Sequence, residues 1–141
     1  KGQNQSVGMG KAFSLAQSGL EEEIVKLEAL RKSFLAGLQS LDGVSLNGSE
    51  GSRVPGIVNL SFDGVDAESL MLGLRDLAVS SGSACASATV EPSYVLRGIG
   101  LSDEQAQRAL RFSFGRFTTE EDVAFASSQI VDVVSRLRAV R

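Results

Sequence analysis

Leu20, Ile24, Leu27, Leu30, Phe34, Leu38 and Leu41 recur every three or four residues, a spacing that lines one face of a helix. The pattern predicts helical structure from about Val7 to Leu41. Gly19 is a candidate break into two helices, because glycine costs about 1 kcal/mol in a helix interior. Asp42-Gly43 ends the segment, Val44–Leu46 reads as a short strand, and Asn47-Gly-Ser-Glu-Gly-Ser52 is a loop by composition. Ile57-Val-Asn-Leu-Ser-Phe62 alternates, with Val58, Leu60 and Phe62 on one face of a half-buried strand. A helix from Asp66 to Asp76 carries Leu70, Leu74 and Leu77, and a short strand follows it.

Beyond that strand, Pro92 fits the first position of a short helix over residues 93–98. Tyr94, the only tyrosine, is expected to pack this helix against the core. Ser102-Asp-Glu-Gln105 has the pattern of a capping box and opens another short helix. Leu110-Arg-Phe-Ser-Phe114 alternates as a strand, with Leu110, Phe112 and Phe114 on one side and Arg111 and Ser113 on the other. Thr118-Thr-Glu-Glu121 is a second capping box, after which Val123, Ala126, Ile130, Val133, Leu137 and Val140 repeat at helical spacing. Few strands interleaved with long helices give an α+β architecture, a small, mostly antiparallel sheet covered by helices.

The 141 residues read as a single domain, long enough to bury a core. Hydrophobic residues at 43% and charged residues at 22% fit a soluble globular chain. No apolar run approaches the roughly 20 residues that cross a bilayer, and the first residues lack the apolar segment of a signal peptide. A net charge of −3 gives no electrostatic reason to expect nucleic acid. Arg136, Arg138 and Arg141 read as cations complementing a helix C-terminus.

Chemistry concentrates at Cys85, the only cysteine, within Val79-Ser-Ser-Gly-Ser-Ala-Cys-Ala-Ser-Ala88. Eight of the nine residues around it are Ser, Gly or Ala, which leave a thiol uncovered. A packing cysteine belongs among large apolar side chains instead. One cysteine allows no internal disulfide and suits a reducing cytoplasm. The chain has no histidine, which excludes a Cys–His pair, a Ser–His–Asp triad and a histidine-bearing zinc site within it. Acid–base partners for Cys85 must therefore come from a cofactor, another chain or a segment outside this one.

Three segments in order carry a resemblance: Ser80 to Ala88, Glu91-Pro-Ser-Tyr-Val-Leu-Arg97, and Arg111-Phe-Ser-Phe-Gly-Arg-Phe-Thr-Thr-Glu120. Together they resemble the C-terminal part of cysteine desulfurases, in the subgroup that serves nitrogen fixation and general iron–sulfur cluster assembly. Weaker similarity extends back through Asp66-Ala-Glu-Ser-Leu70 to Val7-Gly-Met-Gly10. The resemblance implies the small C-terminal domain of a pyridoxal-phosphate enzyme of the class V aminotransferase family, with the type I aspartate-aminotransferase fold. Such enzymes convert L-cysteine to L-alanine and leave the sulfur as a persulfide on their own cysteine. It further implies that Cys85 is the nucleophile and persulfide carrier, on a mobile loop over about residues 80–91. Arg111 matches the arginine that holds the substrate α-carboxylate, a task suited to a bidentate guanidinium.

Other residues receive no catalytic part. Arg116 is read as structural, paired with a carboxylate near the start of the helix at Thr118. Ser81, Ser83 and Ser87 keep the loop soluble. The large domain, which in the family supplies the Schiff-base lysine, two histidines and an aspartate around the cofactor, has no counterpart here. Lys1, Lys11, Lys26 and Lys32 match none of these, and Lys1 to Ser6 falls outside the resemblance. The isolated chain is therefore expected to be inactive. Expected partners are L-cysteine, the pyridoxal-phosphate-binding large domain, a second copy in the family's homodimer, and a sulfur acceptor such as an iron–sulfur scaffold or a tRNA-thiolation relay. Two other readings stand beside this one: a non-enzymatic sulfur-carrier or partner-binding module, and a related lyase or aminotransferase for which Cys85 is dispensable.

Overall fold

Pairing between antiparallel strands sets the frame on which the helices pack. A computed structural model describes residues 3–81 and 92–140. In chain order these form α1 (Gln3–Gly37), β1 (Val44–Leu46), β2 (Ile57–Phe62), α2 (Ala67–Gly73), β3 (Ser80–Ser81), α3 (Tyr94–Gly98), α4 (Asp103–Gln107), β4 (Ala109–Ser113) and α5 (Glu120–Ala139). The strands lie in the order β1-β2-β4-β3, and each neighbouring pair is antiparallel. This is the expected α+β layer.

Alternation along β2 and β4 sends Val58, Leu60, Phe62, Leu110 and Phe112 to one face, where all are buried. They meet Leu30, Phe34 and Leu38 from the end of α1, Leu70 and Leu74 around α2, and Val123, Ile130, Val133 and Val134 from α5. Phe34 is fully enclosed, its ring 5.1 Å from that of Phe112 and 5.3 Å from that of Phe114. Aromatic pairs at such spacing add roughly 1 kcal/mol each beyond their burial. A smaller cluster of Leu96, Ala106 and Ala109 joins α3 and α4 to the first residue of β4.

Several local expectations change. Helix α1 starts at Gln3, runs unbroken through Gly19 and ends at Gly37. Glycine weakens a helix without removing its N–H or C=O from the ladder, so a single one does not break it. Residues 4–18 are exposed throughout, and the apolar stripe reaches the core only at Leu30. Beyond Gly37 tight turns continue, and Gly43 takes φ 66° on the way into β1. Helix α2 stops at Gly73, where a Cβ would lie 2.4 Å from Val133 Cγ1.

The caps explain the remaining boundaries. Asp66 caps α2, its Oδ1 accepting from the Ser69 N–H at 2.8 Å. Ser93, not Pro92, adjoins α3: its hydroxyl accepts from the Leu96 N–H, so Pro92 precedes the cap. Tyr94 does not pack this helix; it is 82% exposed. Two residues rotate a helix by about 200°, so with Leu96 facing inward Tyr94 must face out. The capping box Ser102–Gln105 forms as expected.

The second box lies one residue later than expected, between Thr119 and Asp122. Thr118 instead accepts the Gly115 N–H at 2.9 Å. The apolar stripe of α5 ends at Leu137, and Val140 is exposed. Arg138 lies in the last turn of α5, but its guanidinium donates to the carbonyls of Asp63 (2.9 Å) and Asp42 (2.8 Å). It ties the two loops that flank β1 and β2 to the helix.

α1 and α5 cross closely. Buried Ser127 donates to the Val123 carbonyl at 2.9 Å and lies 3.4 Å from the Phe34 carbonyl. A Cβ on Gly37 would stand 2.6 Å from Ser127 Cβ. Gly37→Ala is therefore expected to destabilise the fold by about 1–3 kcal/mol through overpacking, although alanine is the better helix former. Chemical denaturation checks the sign.

The Thr119 backbone N–H, and then its side chain, hold the Asp122 carboxyl below the usual carboxylate range. A depressed folded-state pKa stabilises the fold above the unfolded value, and that contribution disappears as pH falls through the folded one. Asp122→Asn should lower stability at neutral pH. Its deficit relative to the wild-type chain should shrink as pH falls from the ordinary carboxylate range through the lower folded-state value, where the native carboxylate takes up its proton. Unfolding curves across pH test this.

Candidate functional site

The site-bearing surface is the sheet face turned away from the core. Residues from β2, β4 and β3, with Asn47 beyond the end of β1, meet there in a transverse row. Asn59 on β2 is opposite Arg111 on β4, and Arg111 is opposite Ser80 on β3. Asn47, just past β1, donates its backbone N–H to the Asn59 carbonyl at 2.9 Å and completes the row.

The ladder also fixes how closely these side chains approach. The Phe114 N–H donates to the Gly56 carbonyl and the Phe62 N–H to the Arg108 carbonyl. Hydrogen-bonded pairs thus fall at even-numbered positions of β2, which leaves Asn59 and Arg111 as a non-hydrogen-bonded pair. In such pairs the Cα atoms are about 4.5 Å apart and the side chains are at their closest.

Arg111 is exposed on this face, where the sequence pattern put it, and its guanidinium has no hydrogen bond or ion pair among the described residues. A cation so placed beside polar neighbours is suited to receive an anion, most directly a carboxylate. Next to it, the Asn47 amide nitrogen donates to Asn59 Oδ1 at 2.6 Å and to Ser61 Oγ at 2.8 Å. The Ser61 hydroxyl, buried, donates in turn to the Gln105 carbonyl at 3.0 Å. Ser80 donates to the Ser81 carbonyl at 3.0 Å.

The sequence reading singled out Arg111 and missed Asn47 and Asn59. Alternation already placed Asn59 off the core face. What alternation cannot reveal is that β4, far along the chain, pairs with β2. Cys85, Ser83 and Ser87 lie outside the described residues. Ser81, the last described residue before them, ends the strand that flanks Arg111.

Arg116 is structural, but its partner is not at the start of α5. It pairs with Glu23 of α1, with Nη2 at 2.7 Å and Nε at 3.0 Å from Oε2. Lys26 reinforces the same junction by donating to the Arg116 carbonyl at 2.7 Å. Lys11 and Lys32 also lie on α1. The described lysines are thus not grouped on the Arg111 face, and Lys26 is engaged elsewhere. These residues do not fit a pyridoxal-phosphate site by themselves. Among the described residues no cluster suits a metal ion, and no helix is long and apolar enough to cross a membrane.

An antiparallel sheet of this order under two long helices, with Arg111 in a polar row on the face away from the core, is the mixed α+β arrangement of fold I proteins. Residues 4–125 match the aminotransferase class-V family, and the chain belongs to that family. It is 51% identical over 135 residues to the cysteine desulfurase IscS of Pseudomonas aeruginosa, covering 96% of this chain and 33% of that protein. It is 52% identical, with the same coverage, to the cysteine desulfurase IscS of Vibrio atlanticus. A NifS-like protein from Rickettsia africae has the same fold, with a TM-score of 0.78 at 22% identity over 96% of this chain and 38% of that one. The chain spans about a third of the length of the curated relatives it matches.

The Arg116–Glu23 pair is solvent-facing. A double-mutant cycle with Arg116→Ala and Glu23→Ala should therefore give a coupling of at most about 1 kcal/mol, shrinking as salt is added.

Proposed function

We propose that this chain is the C-terminal small domain of a cysteine desulfurase and works joined to a cofactor-bearing domain. In the net reaction the carbon–sulfur bond of L-cysteine breaks, a sulfur–sulfur bond forms to Cys85, and the released methyl carbon takes up the thiol proton. The products are L-alanine and a Cys85 persulfide. Arg111 holds the substrate carboxylate. Pyridoxal phosphate, which makes the carbon–sulfur bond cleavable, is held by residues other than those described here. The 141 residues act as one domain carrying the cysteine segment of about residues 80–91.

The observation that carries this reading is the adjacency of Arg111 to β3. Ser80 is the Arg111 partner in the ladder, and Cys85 follows Ser81 by four residues. Four residues of chain in any conformation reach at most about 14 Å. A carboxylate held on Arg111 and a nucleophile tethered at that distance can address the same small amino acid. The names of the relatives at 51–52% identity support the same chemistry. The persulfide passes to an acceptor protein, for cluster assembly or tRNA thiolation. The enzyme works as a cytoplasmic homodimer, a setting in which a lone cysteine stays reduced.

In the complete enzyme, Cys85→Ala should reduce sulfide release from L-cysteine by about 100-fold or more, as removal of a covalent nucleophile does. Turnover at the normal rate in that variant would overturn the assignment. Persulfide appearing on Cys85 of this chain from an external sulfur donor, without pyridoxal phosphate, would favour a sulfur carrier instead.

A further inference from the structure

We propose that Asn59 is a second donor to the substrate carboxylate beside Arg111, and that the Asn47–Ser61–Gln105 chain of hydrogen bonds turns its amide to that purpose. The inference rests on the reading that Arg111 holds the carboxylate.

Bonding alone determines the orientation of the amide. The Gln105 carbonyl can only accept, so the single Ser61 O–H is committed to it. The Ser61 oxygen must then accept from Asn47, which identifies the Asn47 atom facing this pair as its NH2 group. The same NH2 meets Asn59, which must answer with its oxygen. The Asn59 Nδ2 is the branch left over, with no partner among the described residues. Asn47 holds Asn59 from the β1 side, whereas Arg111 lies on the β4 side as its closest cross-strand neighbour.

A carboxylate has about four lone-pair sites, and a bidentate guanidinium uses two. Arg111 therefore leaves acceptor capacity for an N–H from the adjacent residue. The arrangement has a reason to be polar. A hydrophobic residue at position 59 would leave the Asn47 NH2, half-buried between strands, with one partner fewer. Aspartate there would satisfy Asn47 but place a second carboxylate against Arg111, in competition with the substrate.

The test is kinetic, in the complete enzyme, with Asn59→Ala, Asn59→Asp and Arg111→Ala compared. Asn59→Ala should raise KM for L-cysteine about 10-fold with kcat changed less than about 2-fold, the effect of losing one hydrogen bond to a charged group. Asn59→Asp, which keeps the acceptor for Asn47, should raise KM further. Inhibition by cysteamine, which is cysteine without its carboxylate, should be unchanged in both. If Arg111→Ala raises KM while Asn59→Asp does not, Asn59 is no donor and the carboxylate reading survives alone. If Arg111→Ala leaves KM unchanged, the reading beneath fails and takes this one with it. Equal weakening of cysteine and cysteamine by the Asn59 variants would mean local structural damage and would also overturn the proposal.

Discussion

The antiparallel pairing of β2 with β4 is the constraint from which the other features follow. Its register puts Leu60 against Leu110 and Val58 against Phe112, so that each alternation serves the same core. A slip of β4 by one residue would turn Arg111 inward and Leu110 and Phe112 out to water. The register that buries the core therefore also builds the polar row on the opposite face. Stability and site geometry have one origin.

Helix packing locks that register. Phe34 from α1 fits against Phe112 and Phe114, while Val123, Ile130, Val133 and Val134 of α5 cover the remainder of the face. Close approach of the two helices depends on small residues, Gly37 and Ser127, at the crossing. Polar links then hold the edges: Arg138 to the loops around β1 and β2, Arg116 to α1, and Ser61 to α4. The more exposed Arg116–Glu23 pair contributes little by itself, but each link fixes a segment that borders the sheet.

The two faces of the sheet divide the labour of the domain. One face is apolar, layered and covered. The other carries Asn47, Asn59, Arg111 and Ser80 in a row, with β3 leading on towards Cys85. A rigid ladder suits substrate recognition, because adjacent strands hold their side chains in fixed relation. In the proposed reaction, a segment of small residues suits a thiol that first reaches substrate sulfur and then hands it to an acceptor.

Much of this was legible in the chain. Strict alternation at Ile57–Phe62 and across residues 110–114 identified both central strands and put Arg111 off the core face, because a period of two is a property of the strand alone. The capping pattern at Ser102 located α4 for the same local reason. Where two local solutions were nearly equal, the sequence could not choose. Thr118 and Thr119 both head a plausible capping box, and the approach of Gly115 assigns Thr118 to the turn. Tyr94 looked like a core residue by type, yet a five-residue helix has room for one inward side chain, and Leu96 takes it. The apolar residues at the start of α1 looked like those at its end, but burial depends on what lies opposite, and only the end faces the sheet. Local spacing thus determined the elements and the exposed arginine. Strand order brought Asn47, Asn59, Arg111 and Ser80 side by side, because that pairing is made between segments tens of residues apart, beyond the range of any periodicity in the chain.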